Sequence, residues 1–343
     1  MYDFSHSSFK NPCAFFKYQL EKFQTENSMD LETYKMMSKE ELADRIKKAK
    51  AKKNAVILAH NYQTLDIQKI ADYRGDSLEL SRLAARTDAD VVVFCGVDFM
   101  AESAKILAPG KTVLLPEIKA TCPMAHMVTT EALAEARAVH PERTVVAYVN
   151  TTAGVKALTD ICCTSANAVN IVRSLGEREI LFVPDRNLAH YVQKITGTSI
   201  TPWDGYCYVH NFFTVKDVER ARDEHPDAVF LIHPEAPPKV VELADHVFST
   251  SGMAKYVAGI VDEEEKRRGV IIGTEIGLVD QLRYQHPDVG IWPLSRFAVC
   301  GTMKMTTLAK VAWSIETGNY EITLPVDVIE KARLALEKMI ETK

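Results

Sequence analysis

Short runs of Val, Ile and Leu alternate along this chain with longer segments in which apolar residues recur every three or four positions. The short runs predict strands buried on both faces of a sheet, and the longer segments predict amphipathic helices. The predicted strands are 56–59, 91–95, 112–116, 145–149, 180–183, 199–202, 229–232, 270–273 and 289–292. The predicted helices are 66–73, 77–86, 99–107, 129–140, 166–175, 187–195, 214–225, 238–244, 252–261, 277–284, 306–315 and 326–341, with one more opened by a capping pattern at Ser38. This alternation indicates parallel βαβ units.

The same set of landmarks occurs three times along the chain. Each first strand ends at a ring-bearing residue, and another polar residue follows two positions later: His60 and Tyr62, Tyr148 and Asn150, His233 and Glu235. Seventeen positions after the first landmark comes a hydroxyl: Ser77 (77−60), Ser165 (165−148) and Thr250 (250−233). A second apolar run ends near Asp98, Asp185 or Glu275, and a cysteine follows that acid after 24, 22 or 25 residues: Cys122, Cys207 or Cys300. Such a repeat predicts three equivalent units.

The predicted fold class is α/β, with three pseudo-threefold α/β/α units, each with a small parallel sheet, around a central cluster and active site. The units are predicted at 38–128, 129–213 and 214–302, and they end with Cys122, Cys207 and Cys300 respectively. An N-terminal helical arm (1–37) precedes them, and C-terminal helices (303–343) are expected to pack back on the first unit. Ligands of open α/β sheets bind beyond the carboxyl ends of the strands, so the three strand-end landmarks should line one cleft.

Composition and charge are ordinary for a soluble globular protein. The chain has 343 residues, 47% of them hydrophobic and 25% charged, and its net charge of −5 gives no support for nucleic-acid binding. No apolar run approaches the roughly 18 residues of a membrane span, and acidic and polar residues near the start argue against a secretory signal. With seven cysteines and no such signal, we expect a reducing, cytoplasmic location.

The three repeated cysteines differ from the other four by their position in the repeat. Cys13, Cys95, Cys162 and Cys163 have no counterparts across the units, and small buried thiols are the simplest interpretation of them. Cys122, Cys207 and Cys300 lack the Cys-x-x-Cys spacing of zinc fingers and the clustering of ferredoxins. Three thiolates from three units could hold a zinc ion or a four-iron cluster with one open position. Three unrelated buried thiols remain the alternative.

The other repeated positions also have a structural and a functional interpretation. Ser77, Ser165 and Thr250 could cap helices, or they could bind an anionic ligand at helix starts. The strand-end histidines could be structural residues or acid–base groups. Glu235, directly after Pro234, is the best single candidate for a general base.

Several separated blocks of this sequence strongly resemble the quinolinate synthase family. They are His60-Asn61-Tyr62, Tyr148-Val149-Asn150, His233-Pro234-Glu235, Ser249-Thr250-Ser251-Gly252-Met253, Gly75-Asp76-Ser77 and Met303-Lys304-Met305-Thr306, together with the three repeated cysteines. The blocks agree in order and spacing over residues 40–340.

The resemblance implies a condensing enzyme and dehydratase of NAD biosynthesis. It joins iminoaspartate to dihydroxyacetone phosphate and releases phosphate and water. A [4Fe-4S] cluster with three cysteine ligands, Cys122, Cys207 and Cys300, would leave one iron open as a Lewis acid. The implied substrate contacts are His60, Ser77, Tyr148, Asn150, Ser165, His233, Glu235 and Thr250. The implied catalytic residues are Glu235, Tyr62 and His60, and a transient contact with an aspartate oxidase is the further partner.

Two features depart from the family's pattern, and two other functions compete. The Cys-x-x-Cys-x-x-Cys triplet of some members is reduced here to Cys300, so a thiol switch built on it is absent. The N-terminal arm has no readable role. A non-catalytic iron–sulfur redox or sensor protein would need the cluster but not the polar pairs around it. A zinc-dependent aldolase or hydrolase would use the same three thiolates.

Overall fold

The computed structural model describes residues 30–342. Most of the predicted N-terminal arm (1–37) therefore lies outside the described residues. The described chain begins with a short helix, α1 (Leu31–Lys35). A longer helix, α2 (Lys39–Lys52), follows, and Ser38 and Glu41 form the predicted capping box at its start.

Three four-stranded parallel sheets share one topology, which confirms the predicted α/β fold with three units. The strands of the first sheet are β1 (Ala55–His60), β2 (Tyr73–Gly75), β3 (Val91–Cys95) and β4 (Thr112–Leu114). Those of the second are β5 (Thr144–Tyr148), β6 (Ile161–Cys163), β7 (Ile180–Val183) and β8 (Ile200–Pro202). Those of the third are β9 (Val229–Ile232), β10 (His246–Val247), β11 (Val270–Gly273) and β12 (Ile291–Pro293). In each sheet the strand order is second, first, third, fourth, so the second strand along the chain forms one edge and pairs only with the first.

Helices connect the strands and cover the sheets. The helices of the first unit are α3 (Leu65–Ile70), α4 (Ser77–Arg86) and α5 (Asp98–Leu107). Those of the second are α6 (Thr130–Val139), α7 (Ala153–Lys156), α8 (Ala168–Ser174) and α9 (Arg186–Thr196). Those of the third are α10 (Val215–Glu224), α11 (Pro238–Val241), α12 (Thr250–Ala258), α13 (Glu263–Arg268) and α14 (Ile276–Gln285). Within the described part of the chain, no helix combines the length and apolar composition that a bilayer crossing needs.

The hydrophobic pattern did not predict the edge strands β2, β6 and β10. A repeated aspartate nevertheless marks where each of them begins. An aspartate precedes each of them: Asp72, Asp160 and Asp245, always twelve residues after a strand-end landmark (72−60, 160−148, 245−233). Its carboxylate accepts a hydrogen bond from a backbone N–H of the neighbouring first strand, at 2.7 to 2.8 Å. Strands of two or three residues carry too little apolar sequence to be recognised by alternation.

The two C-terminal helices pack in different places. The first, α15 (Leu308–Thr317), packs against α1, α2 and β3. The second, α16 (Val326–Glu341), packs against β6 and α7 of the second unit as well as α5 of the first. Its backbone carbonyl at Met339 accepts a hydrogen bond from Asn167 Nδ2 at 3.1 Å. The last helix therefore joins two units instead of resting on one.

Candidate active site

The three units converge on one cavity. All twelve residues predicted as substrate contacts, catalytic residues or cluster ligands line it: His60, Tyr62, Ser77, Cys122, Tyr148, Asn150, Ser165, Cys207, His233, Glu235, Thr250 and Cys300. The landmarks reach the cavity because β1, β5 and β9 end there. This is the carboxyl-end location at which α/β sheets bind ligands.

Each cysteine of the cavity is fixed by the acid that precedes it in the repeat. The backbone N–H of Cys122 donates to Asp98 Oδ1 at 3.1 Å. Cys207 and Cys300 donate in the same way to Asp185 Oδ2 at 3.1 Å and Glu275 Oε1 at 3.0 Å. The similar spacing between acid and cysteine, 22 to 25 residues, therefore reflects a repeated contact that holds each cysteine loop.

The cavity thiols suit a positively charged metal centre. Burial raises the pKa of Cys122 and of Cys207, so in the absence of a cation both thiols would stay protonated at neutral pH. A metal supplies the charge that stabilises the thiolate. Burial also raises the pKa of Cys162, to about 12, but Cys95 and Cys162 lie within strands and do not line the cavity.

A buried histidine that the sequence did not reveal contacts two polar residues of the cavity wall, Glu235 and Tyr62. His210 Nδ1 lies 2.6 Å from Glu235 Oε2, and its Nε2 lies 3.2 Å from Tyr62 Oη and 2.8 Å from Thr274 Oγ1. Its ring also stacks on His233, with 4.5 Å between centroids. His210 has no counterpart in the other units, because the residues three positions after Cys122 and Cys300 are Ala125 and Met303. A search for repeated residues therefore misses it.

Burial and neighbouring groups shift the pKa values of the acid–base residues in opposite directions. Burial alone would raise the pKa of Glu235, but the interaction with His210 and a hydrogen bond from Tyr148 lower that pKa, so the carboxylate is ionised. Burial raises the pKa of Tyr62 and of Tyr148 well above the ordinary value. The cavity thus combines a carboxylate base with protonated phenols.

The two strand-end histidines are neutral, which makes folding sensitive to acid. Burial lowers the pKa of His60 to about 3, assisted by the charge of Lys304, and burial lowers that of His233 to about 3 despite the neighbouring Glu235. An unfolded histidine has a pKa of about 6.5. Below pH 6.5 the unfolded chain therefore takes up protons that the folded chain rejects, and stability is lost as the pH falls toward 3.

We expect the free energy of unfolding of the metal-free protein to fall by roughly 2 kcal/mol per buried histidine between pH 7 and pH 5. Urea titrations at the two pH values measure this loss. The double variant His60→Asn/His233→Asn should lose clearly less over the same interval, whereas His190→Asn, on the exposed face of α9, should match the parent. Equal losses in the parent and the double variant would contradict the assignment of neutral histidines.

The hydroxyls at the helix starts are not the caps. Asp76 caps α4 and Ser249 caps α12, while Ser77 and Thr250 are the first helical residues. Ser165 precedes α8, whose N-cap is Asn167. The capping interpretation is therefore wrong for all three, and their positions in the cavity favour ligand contact.

Several cavity groups offer hydrogen bonds to a ligand. Ser165 Oγ lies 3.2 Å from His233 Nε2, and Thr250 Oγ1 accepts from Asn61 Nδ2 at 3.0 Å. Asn150 Oδ1 is buried without a hydrogen-bond partner among the described residues. A buried amide oxygen with no partner is costly, so a donor from a ligand or a water would stabilise it.

A mixed donor set also meets in the cavity. Cys207, His210 and Glu235 offer a sulfur, a nitrogen and an oxygen that all lie within 4.8 Å of one another. This set is suited to a single divalent ion, whereas the three cysteines, one from each unit, are suited to a larger centre. The alternatives differ in whether inorganic sulfide accompanies the metal.

Fold and site together define the class: α/β enzymes built from three repeated units around one cavity of thiols and acid–base groups. The sequence model of the quinolinate synthetase A protein (NadA) family matches residues 44–341. A quinolinate synthase of Methanoregula boonei is 53% identical over 87% of this chain and 97% of its own length. Those of Methanosarcina barkeri and Pyrococcus furiosus are 49% and 48% identical, over 90% and 88% of this chain and 99% and 98% of their own lengths. The chain belongs to the quinolinate synthetase A family, and membership implies an iron–sulfur centre.

Proposed function

We propose that the protein is a quinolinate synthase. It condenses iminoaspartate with dihydroxyacetone phosphate and releases phosphate and water. The observation that carries the proposal is the convergence of all twelve residues on one cavity in a chain of this family. A redox carrier or sensor would need the cysteines but would not need the ionised Glu235 and the polar groups packed around it.

The three cysteines fit a [4Fe-4S] cluster with one iron free of protein ligands. They come from three units, line one cavity, and are held through their backbones by three equivalent carboxylates. When bound, such a cluster supplies a Lewis acid that polarises an oxygen or nitrogen of the substrate. All other steps fall to the side chains of the chain.

The substrate anions are bound by hydroxyl and amide groups at the ends of strands and the starts of helices. Ser77 and Thr250 lie in the first turns of α4 and α12, where helix N-termini favour negative charge. Ser165 and Asn150 contribute from the second unit, and Asn150 brings its unpartnered amide oxygen. This arrangement suits two substrates that carry carboxylates and a phosphate.

Proton transfer runs between Tyr62, His210 and Glu235 on this proposal. Glu235 is ionised and lies 2.6 Å from His210 Nδ1, and His210 Nε2 on the other side of the ring lies 3.2 Å from the Tyr62 hydroxyl oxygen. Glu235 then serves as the base and Tyr62 as the acid, with His210 between them. His60, whose Nδ1 accepts from the Tyr62 backbone N–H at 3.2 Å, holds the tyrosine loop against the cavity.

An anaerobic assay tests the proposed function. The protein, reconstituted with iron and sulfide, should form quinolinate from dihydroxyacetone phosphate and freshly generated iminoaspartate, with about four iron and four sulfide per chain. Reconstituted protein that carries zinc without sulfide would favour the Cys207, His210 and Glu235 site instead. A loaded cluster without product formation would favour the redox or sensor alternative.

Quinolinate itself should report on the open iron. It presents a ring nitrogen beside a carboxylate, a donor pair that suits one metal ion. We therefore expect added quinolinate to change the Mössbauer signal of one iron site in the loaded protein. Tyr148→Phe should weaken this response without loss of iron, because Tyr148 shapes the cavity and ligates nothing. An unchanged spectrum at saturating quinolinate would contradict an open iron.

The proposed function also bears on the cellular location of the enzyme and on its partner. The six described cysteines are free thiols, and a reducing cytoplasm would keep them so. Iminoaspartate is an imine that water hydrolyses, so transfer from an aspartate oxidase through a transient contact would protect it.

A further inference from the structure

Lys304 connects the loop that carries Cys300, in the third unit, to the loop after β1 that carries Tyr62, in the first unit. Its ammonium group donates to the backbone carbonyl of Tyr62 and lies 3.0 Å from the Glu275 carboxylate. That carboxylate is fully buried, and its Oε1 also accepts from the Cys300 backbone N–H at 3.0 Å. Four groups therefore form an unbroken polar chain from Cys300 to Tyr62.

Gly277 leaves the space in which this contact is made. A Cβ at this position would lie 2.5 Å from Lys304 Nζ and 2.6 Å from the Tyr62 carbonyl oxygen, closer than such atoms approach in proteins. Its N–H donates to Glu275 Oε2 at 2.7 Å. The φ angle of Gly277 is not in the left-handed region, so any residue could adopt its backbone conformation, and the glycine is required for space alone.

An equivalent link runs from the second unit to the third. Asp185, which holds the Cys207 N–H, is the N-cap of α9, and Asn187 lies in the first turn of that helix. Asn187 is buried, and its amide donates to the backbone carbonyl of Glu235 at 2.9 Å. Tyr62 and Glu235 occupy the same repeat position, two residues after a strand end.

A third link runs from the first unit to the second, so each unit is linked to the next one. Asp98 holds the Cys122 N–H at the start of α5, and Glu102, one turn later, accepts from the Ala153 N–H at 2.7 Å. Ala153 follows the Tyr148–Asn150 landmark in the second unit. In each unit the acid that holds the cysteine lies at a helix start, and a nearby side chain contacts the active-site loop of the next unit: Glu102, Asn187 or Lys304.

We propose that Lys304 is a positioning residue that fixes Tyr62 relative to the Cys300 loop. Asn187 is its counterpart and fixes Glu235 relative to the Cys207 loop. The role assigned to Tyr62 rests on the proposed function. Lys304 and Asn187 do not line the cavity, and they act through the backbone carbonyls of the two acid–base residues. Small displacements of a reacting group are costly, about a hundredfold in rate for 1 Å.

A double-mutant cycle tests the proposal. Lys304→Met, similar in length and uncharged, should lower kcat about tenfold to a hundredfold while KM changes by less than threefold and iron content stays at the parent value. In a Tyr62→Phe background the same change should cost less than threefold, because Lys304 acts through the tyrosine. Equal losses of kcat in both backgrounds, or no loss in the parent, would overturn the proposal.

Two further variants separate positioning from general destabilisation. Lys310→Met removes a matched lysine that contacts the Glu117 carboxylate at 2.5 Å and the Met305 carbonyl at 2.7 Å, so kcat should stay within twofold of the parent. Gly277→Ala fills the space between Lys304 and Tyr62 and should reproduce the Lys304→Met result even if the latter variant folds poorly. A normal kcat in folded Gly277→Ala would overturn the proposal.

Amide hydrogen exchange decides the inference independently of the reaction. The peptide spanning 61–64 should exchange faster in Lys304→Met and Gly277→Ala than in the parent. Its exchange rate in Lys310→Met should equal that of the parent. Unchanged exchange in both test variants would overturn the positioning role. If the parent formed no quinolinate, the proposed function would fail while this measurement would still decide whether Lys304 holds the Tyr62 loop.

Discussion

Alanine at Cys122, Cys207 or Cys300 is expected to abolish the brown iron–sulfur chromophore and quinolinate formation together. Each cysteine is the single thiol that its unit contributes to the cavity, so no neighbouring residue can replace it. Loss of one ligand leaves two thiolates, too few to hold a four-iron cluster with one iron open. Iron and sulfide analysis, the visible spectrum and the activity assay of each variant measure the effect.

Cys95→Ala and Cys162→Ala are the matched controls. Both thiols are fully buried, Cys95 at the end of β3 and Cys162 in the middle of β6, and neither lines the cavity. Each change removes only a small buried group, so iron content and activity should stay near the parent values even if stability falls slightly. Loss of the cluster in Cys95→Ala, or its survival in Cys207→Ala, would contradict the assignment of ligands.

The repeat in the sequence predicted the fold because the repeat has a physical cause. A landmark ends each first strand, and all three strands end at one centre, so residues that share a repeat position share a place in the structure. The strands β3, β7, β9 and β11 have the predicted bounds, since continuous apolar runs mark fully buried strands clearly. The acid near the end of each second apolar run also has the same role in all three units: its carboxylate accepts a hydrogen bond from the backbone N–H of the cysteine.

The features that the sequence did not predict lack such periodicity. His210 belongs to one unit alone and reaches Glu235 and Tyr62 only through the packing of the second unit against its neighbours. The helix caps fall one residue before the hydroxyls at Ser77 and Thr250, a shift within the ordinary error of helix boundaries. The link through Lys304 joins residues 242 positions apart, and only tertiary structure can show it.

Glu235→Gln is expected to lower kcat by two or more decades while the cluster remains. The side chain keeps its size and can still hydrogen-bond to His210, but it can no longer take up a proton at neutral pH. Because the carboxylate is ionised and lies 2.6 Å from His210 Nδ1, its replacement by an amide removes the base while the contact that orients the imidazole can persist. Steady-state kinetics and iron analysis on the same preparation measure the two quantities.

Glu242→Gln serves as the control for this change in charge. Glu242 lies in the same unit but on the surface, where it pairs with Lys194, so kcat and iron content should both match the parent. A change confined to kcat in Glu235→Gln identifies loss of chemistry, because a variant that failed to bind substrate would show its defect in KM. Normal turnover in Glu235→Gln would remove this residue from the catalytic set and leave Tyr62 and His210 to move the proton without a carboxylate.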